Sequence, residues 1–274
     1  PLPALVGEDF GLRVMKAIKA RGVDFYGGEK VTEIIGEGGV VAGVKTDRRS
    51  LPADMVLLAV GIRPNTSLAR DAGLELAPNG TIVVDDHMRT SDPSVYAGGD
   101  CVISKNLITG RPVWQPMGST ANREGRVIAD NIAGYGTSFS GVLGTGSLKL
   151  FNLTIGRTGL NEGQAKEAGF DPVSIVVEEQ DRPHFMPGMG DLTIRLVAYR
   201  TSRRIIGAQI MGTGVADKRL DSLVSAISAG MTVDLLADGD FAYAPPFSTA
   251  LDPNTHAANS LKNKMDGLVR TYQA

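Results

Sequence analysis

The stretch "LPADMVLLAVGIRPN" constrains this chain more than any other. From Met55 to Ile62 it is apolar throughout, and Gly61, Arg63 and Pro64 end it sharply. Such a run is far too short to cross a bilayer. It reads as a buried strand, so the chain must supply layers that cover it. With 274 residues the chain is long enough for one large domain or two ordinary ones.

The segments around that run read as mixed α/β. Phe10, Val14, Ala17 and Ile18 fall at helical spacing over Asp9–Arg21, and Gly22 is a natural stop. Gly38-Gly39 between Val31–Ile35 and Val40–Thr46 reads as a hairpin. Thr81–Val84 and Ser94–Ala97 read as short strands. Ser119–Ile132 reads as a helix that Ser119 or Thr120 can cap and Gly134 ends. The small, polar, glycine-rich Gly134–Gly146 reads as a domain boundary.

Beyond it the rhythm changes. Two short strands flank Phe151, and Asn161 and Gln164 are spaced like a capping box. Val173–Glu178, Leu192–Tyr199 and Ile205–Met211 read as antiparallel strands. Val215–Ala229 is an amphipathic helix with Leu220, Val224 and Ile227 on one side, and a last helix follows Asp252-Pro253. Three strands with helices on one face predict an α+β domain.

Composition narrows the function classes. Lys plus Arg is 28 and Asp plus Glu is 30, a net charge of -2, which gives no reason to expect nucleic acid or an anionic membrane. Glycine is abundant at 34 and aromatics sparse at 5%, as in strands joined by tight turns. Cys101 is the one cysteine, so no internal disulfide exists and a reducing, cytoplasmic setting is the default. The first residues lack the basic start and apolar core of a signal peptide.

"SVYAGGDC" (Ser94–Cys101) places bare backbone and one acid after a strand. In open α/β layers ligands bind beyond strand ends, where glycines let backbone come close and a carboxylate accepts hydrogen bonds from sugar hydroxyls. Gly-Gly-Asp is equally good turn chemistry. "WQPMGSTANREGRVIADNIAG" then opens a helix whose first N–H groups and dipole make an anion site, unless it is an ordinary surface helix. Cys101 reads as a small apolar filler rather than a nucleophile. Lys218 and Arg219 read as the solvated face of their helix. His87, His184 and His256 lack metal-ligand spacing, and Asp85–His87 reads as a turn.

Taken in order, "LLAVGIRPN", "GTIVVDDHMRTSDPSVYAGGDC", "MGSTANREGRVIADNIAG", "GVADKRLD" and "YAPPFSTALDP" resemble the FAD-dependent pyridine nucleotide-disulfide oxidoreductases. Within them the chain resembles the branch of CoA-disulfide reductases, NADH oxidases and persulfide reductases. That resemblance implies an α/β, Rossmann-like FAD/NAD region followed by an α+β dimerisation domain. It implies residues 1–80 as the C-terminal half of an NAD(P)-binding domain, 81–139 as the end of an FAD-binding domain and 140–274 as the dimerisation domain. It implies FAD and NAD(P)H as cofactors, hydride transfer to flavin, a small-molecule sulfur acceptor such as a CoA disulfide or persulfide, and a homodimer. Dioxygen is the alternative acceptor, and a redox-silent dimerisation module the alternative for the chain by itself.

For single residues the resemblance implies Gly98, Gly99 and Asp100 at the FAD ribityl or pyrophosphate region. Met117, Gly118 and Ser119 would lie under the flavin pyrimidine edge, and Gly61, Ile62 and Arg63 near the nicotinamide. Tyr243 would reach the partner subunit's active site, although the ring can equally pack on the Pro245-Pro246 pair. The chain departs from the pattern in having no G-x-G-x-x-G loop and no redox cysteine, so it reads as the C-terminal portion of such an enzyme. Phe185 and Met186 stand where a CoA-disulfide reductase is expected to carry tyrosine, which puts that substrate in question.

Overall fold

The computed structural model describes residues 3–269. It divides into two compact units, one built on Glu8–Arg63 and the other on the chain from Pro64 onward.

In the first unit, helix α1 (Pro3–Lys19) has a break at Gly7 and buries Phe10 and Val14, four residues apart on one face. Gly22, at φ 73°, donates to the Lys19 carbonyl and ends the turn after it. Strands β1 (Val31–Glu37), β2 (Val40–Thr46) and β3 (Ser50–Pro52) form an antiparallel sheet in that order. Gly38 and Gly39 both have positive φ, as a two-residue hairpin loop with the right twist requires.

The buried strand expected at Met55–Ile62 is not found. The segment belongs to no sheet, and Met55, Leu57 and Val60 are 86%, 88% and 91% exposed. The cause is missing neighbours: among the described residues no strand lies alongside it. An apolar strand becomes a strand only when flanking strands take its N–H and C=O groups.

The second unit opens with α2 (Ser67–Asp71) and a region of turns. Thr81–Val84 and Ser94–Ala97 are also less than strands. Ile82 bridges Leu76 and Val102, and Tyr96 bridges Arg89, each as a single pair. Ser94 and Val95 are exposed, so this stretch is a half-covered ribbon rather than a buried strand. The short pair β4 (Ser104–Lys105) and β5 (Pro112–Val113) leads to α3 (Gly118–Ile132). Gly134 ends that helix at φ 88°.

The rest is a five-stranded antiparallel sheet with helices packed on it, in which the pair of short strands read around Phe151 joins the three read beyond it. The pair expected around Phe151 is the hairpin β6 (Gly146–Leu150) and β7 (Leu153–Gly159), turned at Phe151 with φ 56°. With β8 (Pro172–Gln180), β9 (Asp191–Tyr199) and β10 (Ile205–Gly212) the order is β6-β7-β10-β9-β8. The central position explains why every residue of β10 is buried. Ile194 of β9 lies between Ile210 and Val177 in register. Leu192, Ile194, Leu196 and Ala198 alternate onto one face and meet Leu220 and Leu223 of α5 (Ala216–Ser228) and Leu261 of α7 (Pro253–Met265). Gly156 lets α5 approach, because a Cβ there would lie 2.6 Å from Leu220 Cδ2.

Local signals set the remaining boundaries. Asn161 and Gln164 form the expected capping box on α4 (Glu162–Glu167), Thr232 caps α6 (Val233–Ala237), and Asp252 caps α7 with Pro253 in its first turn. Among the described residues no helix is long and apolar enough to cross a membrane.

Candidate functional site

The Gly98–Asp100 turn and the start of α3 come together. Gly98 is bare because of the helix: a Cβ there would lie 2.9 Å from Ile128 Cδ1 and 3.3 Å from Glu124 Cβ. Gly99 has φ +88°, which disfavours any side chain, and its N–H donates to Glu124 Oε2 at 2.7 Å. The Asp100 carbonyl accepts from Trp114 Nε1 at 2.8 Å, while its carboxylate side faces solvent without a partner among the described residues. The backbone of the turn is thus fixed on both sides, and one acid is left to meet a ligand.

Helix α3 is not capped as expected. Its N-cap is Met117, with extended backbone and no side-chain cap, instead of Ser119 or Thr120. The first intrahelical bond runs from Ala121 N–H to the Met117 carbonyl, so the N–H groups of Gly118, Ser119 and Thr120 lie ahead of the ladder. Gly118 and Ser119 are exposed, and a Cβ at Gly118 would touch nothing. An electron-rich ligand edge can approach there and meet free donors and the positive end of the helix dipole.

Cys101 beside the turn is held as a thiol. Burial pushes it up, its Sγ donates to the Gly98 carbonyl, and no disulfide forms. Gly61, Ile62 and Arg63 belong to the first unit, on the exposed apolar segment, with Gly61 at φ 97°. Tyr243 stands 53% exposed on the loop between α6 and α7, with no side-chain hydrogen bond among the described residues. Phe185 is 66% exposed on the loop between β8 and β9.

Three charged residues were invisible as site builders in the sequence. Glu124, fully buried, also accepts from Ser104 Oγ at 2.6 Å. Asp181, also fully buried, accepts from Gly190 N–H, Val215 N–H and the Arg182 guanidinium. Burial alone would push its carboxyl up; Arg182 and the two backbone donors outweigh that and hold it below the usual carboxylate range. Arg219 corrects the expectation of a solvated pair. Lys218 is exposed and bonds Asp221, but Arg219 is 7% exposed. It donates to the carbonyls of Asp181 and Val215 and to Ser248 Oγ, with Asp252 Oδ2 3.6 Å from Nε. It thereby ties the loop carrying Phe185 to the loop carrying Tyr243.

Among the described residues no cluster of His, Cys, Asp and Glu could hold a metal. Asp85 turns as expected, accepting from the N–H groups of His87 and Arg89.

Residues 1–122 match the profile of the pyridine nucleotide-disulphide oxidoreductases, and residues 146–255 match the dimerisation domain of the same family. The chain belongs to that family. It is 36% identical over 86% of its length to an NAD(P)H sulfur oxidoreductase (CoA-dependent) of Pyrococcus furiosus, covering 51% of that protein. It is 35% identical over 85% of its length to an NADH oxidase of Enterococcus faecalis, covering 52% of it. An NAD-dependent persulfide reductase from A. fulgidus superposes with TM-score 0.94 at 42% identity over 99% of this chain and 50% of the other. The chain spans about half the length of the curated relatives it matches. The family's two-part order, a nucleotide-binding region and then a dimerisation domain, is the order read from the sequence.

Proposed function

We propose that this chain is part of an NAD(P)H-dependent flavoprotein that reduces a sulfur acceptor, a disulfide or persulfide such as one of coenzyme A, and that works as a homodimer. The observation that carries the reading is the Gly98–Asp100 turn fixed against the uncapped start of α3. The residues present fit one side of a flavin nucleotide: an exposed acid, a glycine at φ +88° and free helix N–H groups. Bound FAD would supply the two-electron redox chemistry between nicotinamide and sulfur.

The chain's own residues take defined roles in this reading. Asp100 accepts hydrogen bonds from ribityl or ribose hydroxyls. Gly98 and Gly99 let the turn lie close to the cofactor. The N–H groups from Met117, Gly118 and Ser119 onward face the pyrimidine edge and favour negative charge there. Gly61, Ile62 and Arg63 line the nicotinamide approach. The phenol of Tyr243 donates a hydrogen bond to sulfur in the partner subunit's site, a role its exposure permits. The relatives support a sulfur acceptor. The oxidase relative supports dioxygen as the second reading, and Phe185 and Met186 leave room for it.

The test is visible absorption of the full-length protein, then anaerobic bleaching with NAD(P)H and reoxidation by CoA disulfide, persulfide or dioxygen. A flavin spectrum, bleached by NAD(P)H and restored by the sulfur compounds, is expected. Asp100→Ala should weaken FAD retention about tenfold, the scale of one hydrogen bond from a charged group. Unchanged flavin content would remove Asp100 from the site. Restoration by dioxygen alone would select the oxidase reading.

A further inference from the structure

Glu124 is fully buried on α3, and no Lys, Arg or His pairs with it among the described residues. A carboxylate removed from water without a cation is costly unless its oxygens are occupied. Both are: Oε2 by Gly99 N–H at 2.7 Å and Oε1 by Ser104 Oγ at 2.6 Å. The two donors flank Asp100 in sequence. Gly99 sits at φ +88°, which glycine adopts without strain, and its bond to Glu124 holds that orientation. Trp114 fixes the same turn from the other side through the Asp100 carbonyl.

We infer that Glu124 is a positioning residue for the flavin nucleotide, holding the Gly99–Asp100 turn so that the Asp100 carboxylate faces the cofactor's hydroxyls. The inference rests on the flavin reading above. Glu124 itself is buried behind Gly98 and Gly99, and it acts only through the turn. An apolar side chain in its place would leave the Gly99 N–H without its acceptor and let the turn rotate. A glutamine would keep both contacts, its oxygen taking the Gly99 N–H and its amide group meeting Ser104 Oγ.

The experiment uses the full-length protein, stripped of flavin and titrated with FAD by fluorescence, alongside melting of each flavin-free form. Glu124→Met fills similar volume without an acceptor and should weaken FAD about tenfold or more, the scale of a hydrogen bond to a charged group. Glu124→Gln should restore most of that affinity. Ser104→Ala, which leaves the Gly99 bond intact, should weaken FAD by a smaller factor and tests the same tie if Glu124→Met does not fold. A residue that only stabilises the fold would lower the flavin-free melting point and leave the affinity of the folded protein unchanged. That result, or a Glu124→Gln protein as weak as Glu124→Met, overturns the inference. A wild type that takes up no FAD overturns the flavin reading itself, which the Asp100→Ala comparison would already have exposed.

Discussion

Asp181 commits its whole carboxylate to its own neighbourhood. Four contacts, from Gly190, Val215 and both sides of the Arg182 fork, fix the base of the Phe185 loop. An amide there would turn an NH2 group toward donors. Asp181→Asn should therefore destabilise the fold by about 2–3 kcal/mol at neutral pH, read from the denaturant midpoint. The pH dependence has a defined sign. The folded pKa lies below the unfolded one, so the wild-type advantage is complete above the unfolded value, about 3.9. It falls as pH drops below that value and is lost through the lower folded value. The two proteins should converge in strong acid; a gap that stays constant with pH would show that the charge is not the stabilising feature. Glu124 and Arg219 were not legible in the sequence because Glu124 meets Ser104 and Gly99 20 and 25 residues away and Arg219 meets Asp181 38 residues away; Asp181 joins its neighbour Arg182 to Gly190 and to Val215, 34 residues on. On a helix pattern, Arg219 reads like its neighbour Lys218, and only the fold separates the buried cation from the solvated one.

At the scale of elements, the local signals came through. The Gly38-Gly39 hairpin, the Asn161 capping box and the Asp252-Pro253 helix start need only residues close in sequence, and all formed as read. The strands read at Val173–Glu178, Leu192–Tyr199 and Ile205–Met211 also formed, because the sheet supplies their partners, whereas the strand read at Met55–Ile62 did not. Met55–Ile62 has the composition of a buried strand, yet its ladder partners are not among the described residues, so it stands apolar and exposed. This has a measurable consequence. The 274-residue chain should bind a dye such as ANS strongly, and Leu57→Thr with Val60→Thr should reduce that binding roughly in proportion to the apolar area removed. Unchanged dye binding would mean that the segment is covered in solution. The cap of α3 is the other partial reading. Ser and Thr at its start suggested a closed cap, whereas Met117 leaves the helix end open, which suits a ligand better than the sequence reading did.

For the whole molecule, the nucleotide-binding and dimerisation parts meet in one question: whether each active site needs both subunits. Phe247 is 76% exposed and Tyr243 53%, on the same loop of the second unit. Large exposed aromatics on one loop suit a contact surface, and the second unit carries the family's dimerisation domain. Arg219 fixes the base of that loop through Ser248, so its tip is presented on a rigid support. A charge at the tip should break the contact without disturbing the core. We expect Phe247→Glu to shift the full-length protein toward monomer in sedimentation. On the proposed reading, flavin reduction by NAD(P)H should survive in that monomer, because the Gly98–Asp100 turn and α3 lie within one chain. On the same reading, sulfur-acceptor turnover should fall with the dimer, since the proposed reach of Tyr243 into the partner subunit would be lost. Tyr243→Phe should give the same division in an intact dimer, with turnover about a hundredfold lower, the low end of what a positioned proton donor contributes, and flavin reduction little changed. A monomer that turns over the sulfur acceptor at the wild-type rate would place all of the chemistry within one subunit. An intact Tyr243→Phe dimer that slows both steps equally would take Tyr243 out of the sulfur step and leave it a residue of the contact alone.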